Sequence, residues 1–129
     1  QYSTSLRNNI LDQKEAHIGS GAIMRFFTGA QPANCAAAAS GTQLAELTLP
    51  ADWMEPASGG AKAKSGTWQD LAADNAGAFG YYRIYASDGV TCHEQGSAGL
   101  VGDVITDVAA VVAGQEFRVT AYTETAPGA

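Results

Sequence analysis

Four residues of this chain have side chains that commonly bind metals or act in catalysis: Cys35, Cys92, His17 and His93. Zinc sites typically use closely spaced pairs such as C-x2-C or H-x3-H, and the sequence has neither spacing. Cys92 and His93 are adjacent, and adjacent side chains of a strand point to opposite faces. They would therefore neither chelate one metal nor form a nucleophile–base pair.

The two cysteines lie far apart in the sequence, Cys35 in an Ala-rich loop at 33–42 and Cys92 after a predicted hairpin turn. Three states are open for them: free or buried thiols, a disulfide between subunits, or a disulfide within the chain. An intrachain bond needs Cα atoms within about 7 Å, which a sequence cannot establish.

Other catalytic motifs are also missing from the sequence. It has no G-x-S-x-G elbow, no P-loop and no dinucleotide fingerprint. Asp103 and Asp107 are four residues apart, but no EF-hand pattern surrounds them. We therefore predict no catalytic, cofactor-binding or metal-binding residues, and no enzymatic activity.

Length and charge limit the remaining functions. A chain of 129 residues fits one domain. Thirteen acidic residues against seven basic ones give a net charge of −6, which argues against binding to nucleic acid or to anionic membranes. The polar start of the chain, without an apolar segment, leads us to expect no signal peptide.

The first element that the sequence predicts is a helix over residues 3–18. Ser3 or Thr4 can cap its start, and Gly19 stands where a helix commonly ends. Such a short helix must pack on the body of its own chain or on a neighbouring subunit. Its apolar residues fall at roughly helical spacing and predict one stripe, made of Leu6, Ile10, Leu11 and Ile18.

From residue 22 onward, short alternating segments separated by turn residues predict seven or eight strands. The strongest strand is 79–86, and Asp88-Gly89 after it favours a tight hairpin. This pattern predicts an all-β fold, an antiparallel, jelly-roll-like β-sandwich behind one short N-terminal helix. The expected organisation is a helix or arm at 1–20, a sandwich at 21–124 and a flexible tail at 125–129.

Alternation also predicts which side chains face the solvent. In the segment 61–68, Lys62 is expected to point outward. In the segment 115–124, Tyr122 is expected on the face opposite Phe117.

A bend at residues 49–56 carries the large apolar side chains of Trp53 and Met54. They can form a lid over the end of the sandwich, or a contact patch for a partner. Together with Leu6 and Ile10 of the helix, Trp53 and Met54 are the candidate partner-contact residues.

Four different motifs follow one another along almost the whole chain. They are a strand followed by T-G-x-Q-P at 23–32, an L-A-x-L-T-L strand within 41–49, an R-I-x-x-S-D-G hairpin at 83–89 and an A-G-Q-x-x-x-V-T ending at 113–120. In order and spacing, this set resembles a family of small virion proteins of tailed bacteriophages. Cys35, Cys92 and the bulky bend around Trp53 depart from that pattern.

The resemblance implies a structural role in the virion. The expected function is a capsid decoration, or cement, protein that stabilises the head shell. Its expected partners are the major capsid protein or other virion proteins, and it would form a homo-oligomer on particles assembled in the host cytoplasm. The alternatives are a neck or tail component and a carbohydrate-binding module, because β-sandwiches commonly host sugar sites.

Overall fold

The computed structural model describes all 129 residues, beginning with helix α1, Thr4–Ile18. The Ser3 side chain caps the helix by accepting a hydrogen bond from the Leu6 N–H at 3.2 Å. The helix ends at Gly19, whose φ of 85° few other residues adopt and whose N–H donates to the Glu15 carbonyl. These local signals confirm the predicted helix and both of its ends.

Ten strands follow the helix, and eight of them form one sheet in the order β2-β1-β6-β7-β8-β10-β3, with β4 also pairing with β10. Strands β5 and β9 form a separate pair. The strands are β1 Ile23–Phe27, β2 Gln43–Thr48, β3 Ala61–Ala63, β4 Trp68–Asp70, β5 Gly77–Ala78, β6 Tyr81–Tyr85, β7 Cys92–Gly99, β8 Val104–Thr106, β9 Ala110–Val111 and β10 Phe117–Thr125.

The large sheet curls until its two ends approach each other. Strand β2 lies next to β4, where the Glu46 N–H donates to the Asp70 carboxylate at 3.2 Å. Every strand pair is antiparallel except β7 with β8, which is parallel. The prediction of an all-β, sandwich-like fold behind one N-terminal helix is therefore confirmed.

The core fills the inside of the curl, and six of its 20 buried residues are aromatic. Phe26 and Phe117 meet edge to face with ring centres 5.3 Å apart. A second group continues the core, since Trp68 lies 6.0 Å from Trp53 and 5.5 Å from Tyr122. These few large rings supply the packing that the many alanines and glycines of the chain cannot.

The outer face of β6 is also covered, by a loop that we call the strap, residues 29–41. The strap leaves and rejoins the sheet at Thr28 and Thr42, which are joined by a backbone hydrogen bond of 3.0 Å. The Tyr81 hydroxyl holds it by donating to the Ser40 carbonyl at 2.6 Å and accepting from the Ser40 N–H at 2.9 Å. Tyr81 is consequently buried although it lies outside the curl.

The β6–β7 hairpin turns at Asp88-Gly89, as predicted. Gly89 has a φ of 68°, and the Asp88 carboxylate accepts hydrogen bonds from the Val90 and Thr91 N–H groups, each at 2.9 Å. Arg25 of β1 donates to the Gly89 carbonyl at 2.8 Å. The turn is therefore fixed both by its own side chain and by the neighbouring strand.

Tyr122 is buried in the core, whereas simple alternation placed it on the face opposite Phe117. The register of β10 against β8 shifts between Val119 and Ala121. Such a bulge adds one residue to a strand and thereby moves every later side chain to the other face. The prediction for Tyr122 was wrong for this reason.

Candidate functional site: the N-terminal helix and its dock

Helix α1 rests on the sheet with the face that contains Arg7, Leu11 and Ile18, all three of which are buried. Leu6 and Ile10 lie on a different face and remain exposed. The single apolar stripe predicted from the sequence is thus divided between two faces. Leu11 and Ile18, seven residues apart, lie on the same side of the helix, whereas Leu6 and Ile10 are turned away from that side.

Arg7 joins the helix to the C-terminal segment. Its guanidinium group donates two hydrogen bonds to the Ala126 carbonyl, at 3.3 and 3.0 Å, and Ala126 is itself buried. The Ala126 N–H donates to the Gly60 carbonyl at 2.9 Å. Segment 125–129 is therefore not the flexible tail that the sequence predicted: Thr125 ends β10, and Ala126 is held by partners distant in sequence.

Lys62 of β3 is 4% exposed and points toward the helix, contrary to the outward orientation predicted. Its ammonium group lies 2.7 Å from the Asp12 carboxylate and 2.9 Å from that of Glu15. Burial disfavours a charge on Lys62, but the hydrogen bonds and charges of Asp12 and Glu15 outweigh it and raise the Lys62 pKa. A buried lysine is tolerated here because two helix carboxylates compensate its charge.

Both carboxylates also bind the backbone of the 49–56 bend and the loop after it. Glu15 accepts from the Met54 N–H and Asp12 from the Ala57 N–H, each at 3.1 Å. An open cleft of about 480 Å³ lies between the helix and the bend, with Asp52 on its rim and Lys62 among its lining residues. Asp12 and Glu15 thus connect the helix to β3 and to the bend.

A second polar cluster joins the helix to β7 and β10, two strands that each pair with the short strand β8 between them. Lys14 of the helix forms ion pairs with Glu94 of β7 and Glu124 of β10. The hydroxyls of Tyr82 and Tyr122 donate to the Glu94 carboxylate. Burial raises the Glu94 pKa, and the Lys14 charge opposes this shift. Charges and hydroxyl groups therefore fix the helix to both strands.

Exposed apolar side chains at the start of the chain form a set that we call the helix row: Tyr2 just before helix α1, and Leu6 and Ile10 on it. Their exposed fractions are 49%, 47% and 38%. Residues four apart lie next to one another on a helix, so Leu6 and Ile10 form one patch. Tyr2 lies against Gly128, to whose carbonyl its N–H donates at 2.6 Å. Of the four candidate contact residues, Leu6 and Ile10 are those the structure leaves accessible.

Trp53 and Met54, the other two candidates, are 0% and 1% exposed. Trp53 packs beside Trp68 and donates its indole N–H to the Gly19 carbonyl at 3.3 Å. Their assignment as surface contacts has to be corrected, because the bend folds inward against the end of helix α1. Their burial fits the lid interpretation.

Cys35 and Cys92 are both free and half-buried. The Cys92 thiol donates to the Glu94 carbonyl at 3.5 Å, and burial together with the nearby Cys35 thiol raises the Cys92 pKa. The strap and strand β7 thus bring together two thiols that are distant in sequence. The rings of His17 and His93 also meet, edge to face, with centres 5.1 Å apart. No group of three or more His, Cys, Asp or Glu side chains is arranged to hold a metal ion.

The role of Lys62 was missed because alternation along β3 says nothing about a partner fifty residues earlier in the chain. The one available signal was the spacing of Asp12 and Glu15, which places two carboxylates on one helix face. Glu94 was missed because the strand that carries it is only half-buried.

Comparison of the chain with protein-family models, with curated proteins and with solved structures finds no match. The one helix of the protein is too short and too polar to cross a membrane.

Proposed function

We propose that the protein is a structural protein of a tailed-bacteriophage virion, most specifically a decoration protein that stabilises the head shell by binding the major capsid protein. The observation that carries this proposal is the helix row: Leu6 and Ile10 are exposed on a helix that other side chains fix to the body. An apolar patch on a rigid element suits protein binding, since little conformational entropy is lost when it docks.

The size of the patch favours assembly in many copies. Three partly exposed side chains offer a small contact area, which is too little for a stable complex of two isolated proteins. On a shell, each weak contact is repeated by every copy, and contacts between neighbouring copies increase the overall binding strength. A decoration protein uses contacts in this way.

The motifs that carry the family resemblance also have structural roles here. Asp88-Gly89 forms the β6–β7 turn, and Thr28 closes the base of the strap by accepting from the Thr42 N–H at 2.9 Å. Motifs that build turns and strand ends support a relation in fold and assembly.

A neck or tail component is the second candidate within the virion, and the same exposed row would serve it. The two roles differ in copy number, because a shell takes many copies and a neck takes a single ring. The carbohydrate-binding alternative is disfavoured, since Trp53, Trp68 and Tyr82 are buried and present no aromatic platform to a sugar.

The test uses purified particles that lack this protein, to which the full chain is added back. The variant L6Q/I10Q should lose particle binding while its melting temperature stays close to that of the parent, because both side chains are exposed. The matched control is L71Q/V112Q, which removes two exposed apolar side chains elsewhere, 65% and 61% exposed, and should bind fully. Full occupancy by L6Q/I10Q would contradict the proposal.

The number of copies per particle, measured from stained gels of the same particles, separates the two virion roles. Many copies support decoration of the shell. A single ring of copies supports the neck or tail assignment instead.

A further inference from the structure

The strap is held on the outer face of the β6–β7 hairpin by polar side chains of both strands. The Arg83 guanidinium group, on a residue that is 2% exposed, donates to the Asn34 carbonyl at 3.2 Å. The Gln95 side chain donates to the Pro32 carbonyl at 2.7 Å and accepts from Arg83 at 3.0 Å. The strap backbone on the N-terminal side of Cys35 is therefore fixed to the sheet.

Cys92 lies on the same face of the hairpin. In an antiparallel pair, residues directly opposite each other share a face. Arg83 is opposite Gln95, and Tyr85, two residues after Arg83, is opposite Cys92. The register shifts between Ile84 and Tyr85, so the side chain of Cys92 lies on the face that the strap covers although Cys92 is three residues from Gln95. Cys35 directly follows Asn34, whose carbonyl is bound to Arg83 on that same face.

We propose that Cys35 and Cys92 form an intrachain disulfide when the protein meets a small disulfide oxidant such as glutathione disulfide, and that this bond fastens the strap to strand β7. The bond would join two segments that the Arg83 and Gln95 hydrogen bonds already hold together. This inference does not depend on the virion function.

The reaction is a thiol–disulfide exchange in two steps. One of the two cysteine thiolates attacks glutathione disulfide, which forms a mixed disulfide and releases one glutathione thiolate. The other cysteine sulfur then loses its proton and displaces the second glutathione. Two electrons pass from the protein sulfurs to glutathione, and the two thiol protons end on the two glutathione molecules.

The surroundings of Cys92 affect the rate of the exchange. Burial, together with the neighbouring Cys35 thiol, raises the Cys92 pKa to about 12, while the Arg83 charge opposes the shift. Since the thiolate is the nucleophile, a raised pKa slows any attack by Cys92. Both cysteines are half-buried, and a small oxidant can reach them.

The test compares the full chain after treatment with glutathione disulfide and after treatment with a reductant. We expect the oxidised chain to remain a monomer, to lose two hydrogen atoms in intact mass, and to yield a disulfide-linked peptide pair containing Cys35 and Cys92. Oxidation should also raise the melting temperature and slow proteolysis within residues 29–41. The C35S and C92S variants are the matched controls and should show neither effect.

Two results would overturn the proposal. One is a ladder of multimers that reductant collapses, which would show a bond between chains. The other is a monomer in which both thiols still react with a thiol reagent after oxidation. Because the C35S and C92S chains report folding separately through their melting temperatures, a variant that fails to fold cannot be mistaken for either result.

Discussion

The ammonium group of Lys62 lies 2.9 Å from the carboxylate of Glu15, which joins strand β3 to helix α1 at a site where Lys62 is 4% exposed. A buried ammonium ion is stable only while its counter-ions stay in place. Glu15 lies on the helix and Lys62 on β3, 47 residues later in the chain. The pair therefore holds the N-terminal helix on the sheet.

We predict that E15A lowers the free energy of unfolding by about 2 kcal/mol, because it removes one of two partners of Lys62 and also leaves the Met54 N–H without its acceptor. Denaturant unfolding measures this loss. The matched control is E116A, which breaks an exposed ion pair with Arg118 and should change stability by no more than about 0.5 kcal/mol. Equal losses in the two variants would contradict the prediction.

Gly80 allows a close approach of two backbone segments. A Cβ atom at this position would collide with the carbonyl oxygen of Gly29 and lie 2.6 Å from its nitrogen. We predict that G80A destabilises the fold by about 2 kcal/mol or more, since a backbone cannot move aside as a side chain can. Thermal melting of the variant gives the measurement.

The comparison for G80A is G114A. Gly114 has open space around its Cβ position but a φ of 83°. Its replacement should cost only backbone strain, about 1 kcal/mol. A G80A chain as stable as G114A would show that the close contact between Gly80 and Gly29 is unimportant.

The Asp88 carboxylate should titrate well below an ordinary aspartate. Hydrogen bonds from the Thr91 hydroxyl and from the Thr91 and Val90 N–H groups lower its pKa from 3.8 to about 2. Because the folded-state pKa is the lower one, the turn gains stability above the unfolded value of 3.8 and loses it as the pH falls through about 2.

NMR titration of the Thr91 amide proton tests this directly. The expected midpoint is near pH 2, and a midpoint near 3.8 would argue against the hydrogen bonds. In D88N, which cannot ionise in this range, the same amide should show no such transition.

Glu94 should show the opposite pH dependence. Burial raises its pKa above 4.5, so folding favours the protonated carboxyl group, and this contribution to stability is lost as the pH rises from 4.5 through the folded value. We predict that E94Q gains stability relative to the parent across that range. Unfolding curves collected at several pH values supply the test, with E116Q as the control. A stability difference between E94Q and the parent that shrinks with rising pH would contradict the prediction.

Elements that depend on neighbouring residues were predictable from the sequence. The helix from its Ser3 cap to Gly19 and the turn at Asp88-Gly89 are set by local hydrogen bonds and by glycine conformations, which leave a direct trace in the residue order. The family resemblance rests on the same kind of local chemistry.

Features that depend on distant partners were not predictable in this way. The orientation of Lys62 depends on Asp12 and Glu15, which lie far away in the sequence. The burial of Tyr122 depends on a bulge in β10 that the residue types there do not indicate. Of the candidate contact residues, Leu6 and Ile10 are exposed and stay candidates, while Trp53 is buried by its packing against Trp68.

The docking of helix α1 on β3, β7 and β10 also determines when this protein can finish folding. The helix is synthesised first, but it binds Lys62, Glu94, Glu124 and Ala126, which emerge from the ribosome much later. Until then, the face of the helix that carries Leu11 and Ile18 has no sheet to pack on and stays exposed, a condition that favours misassociation during synthesis. Docking of the helix is thus expected to be a late step, and chains that release it should be the ones that aggregate.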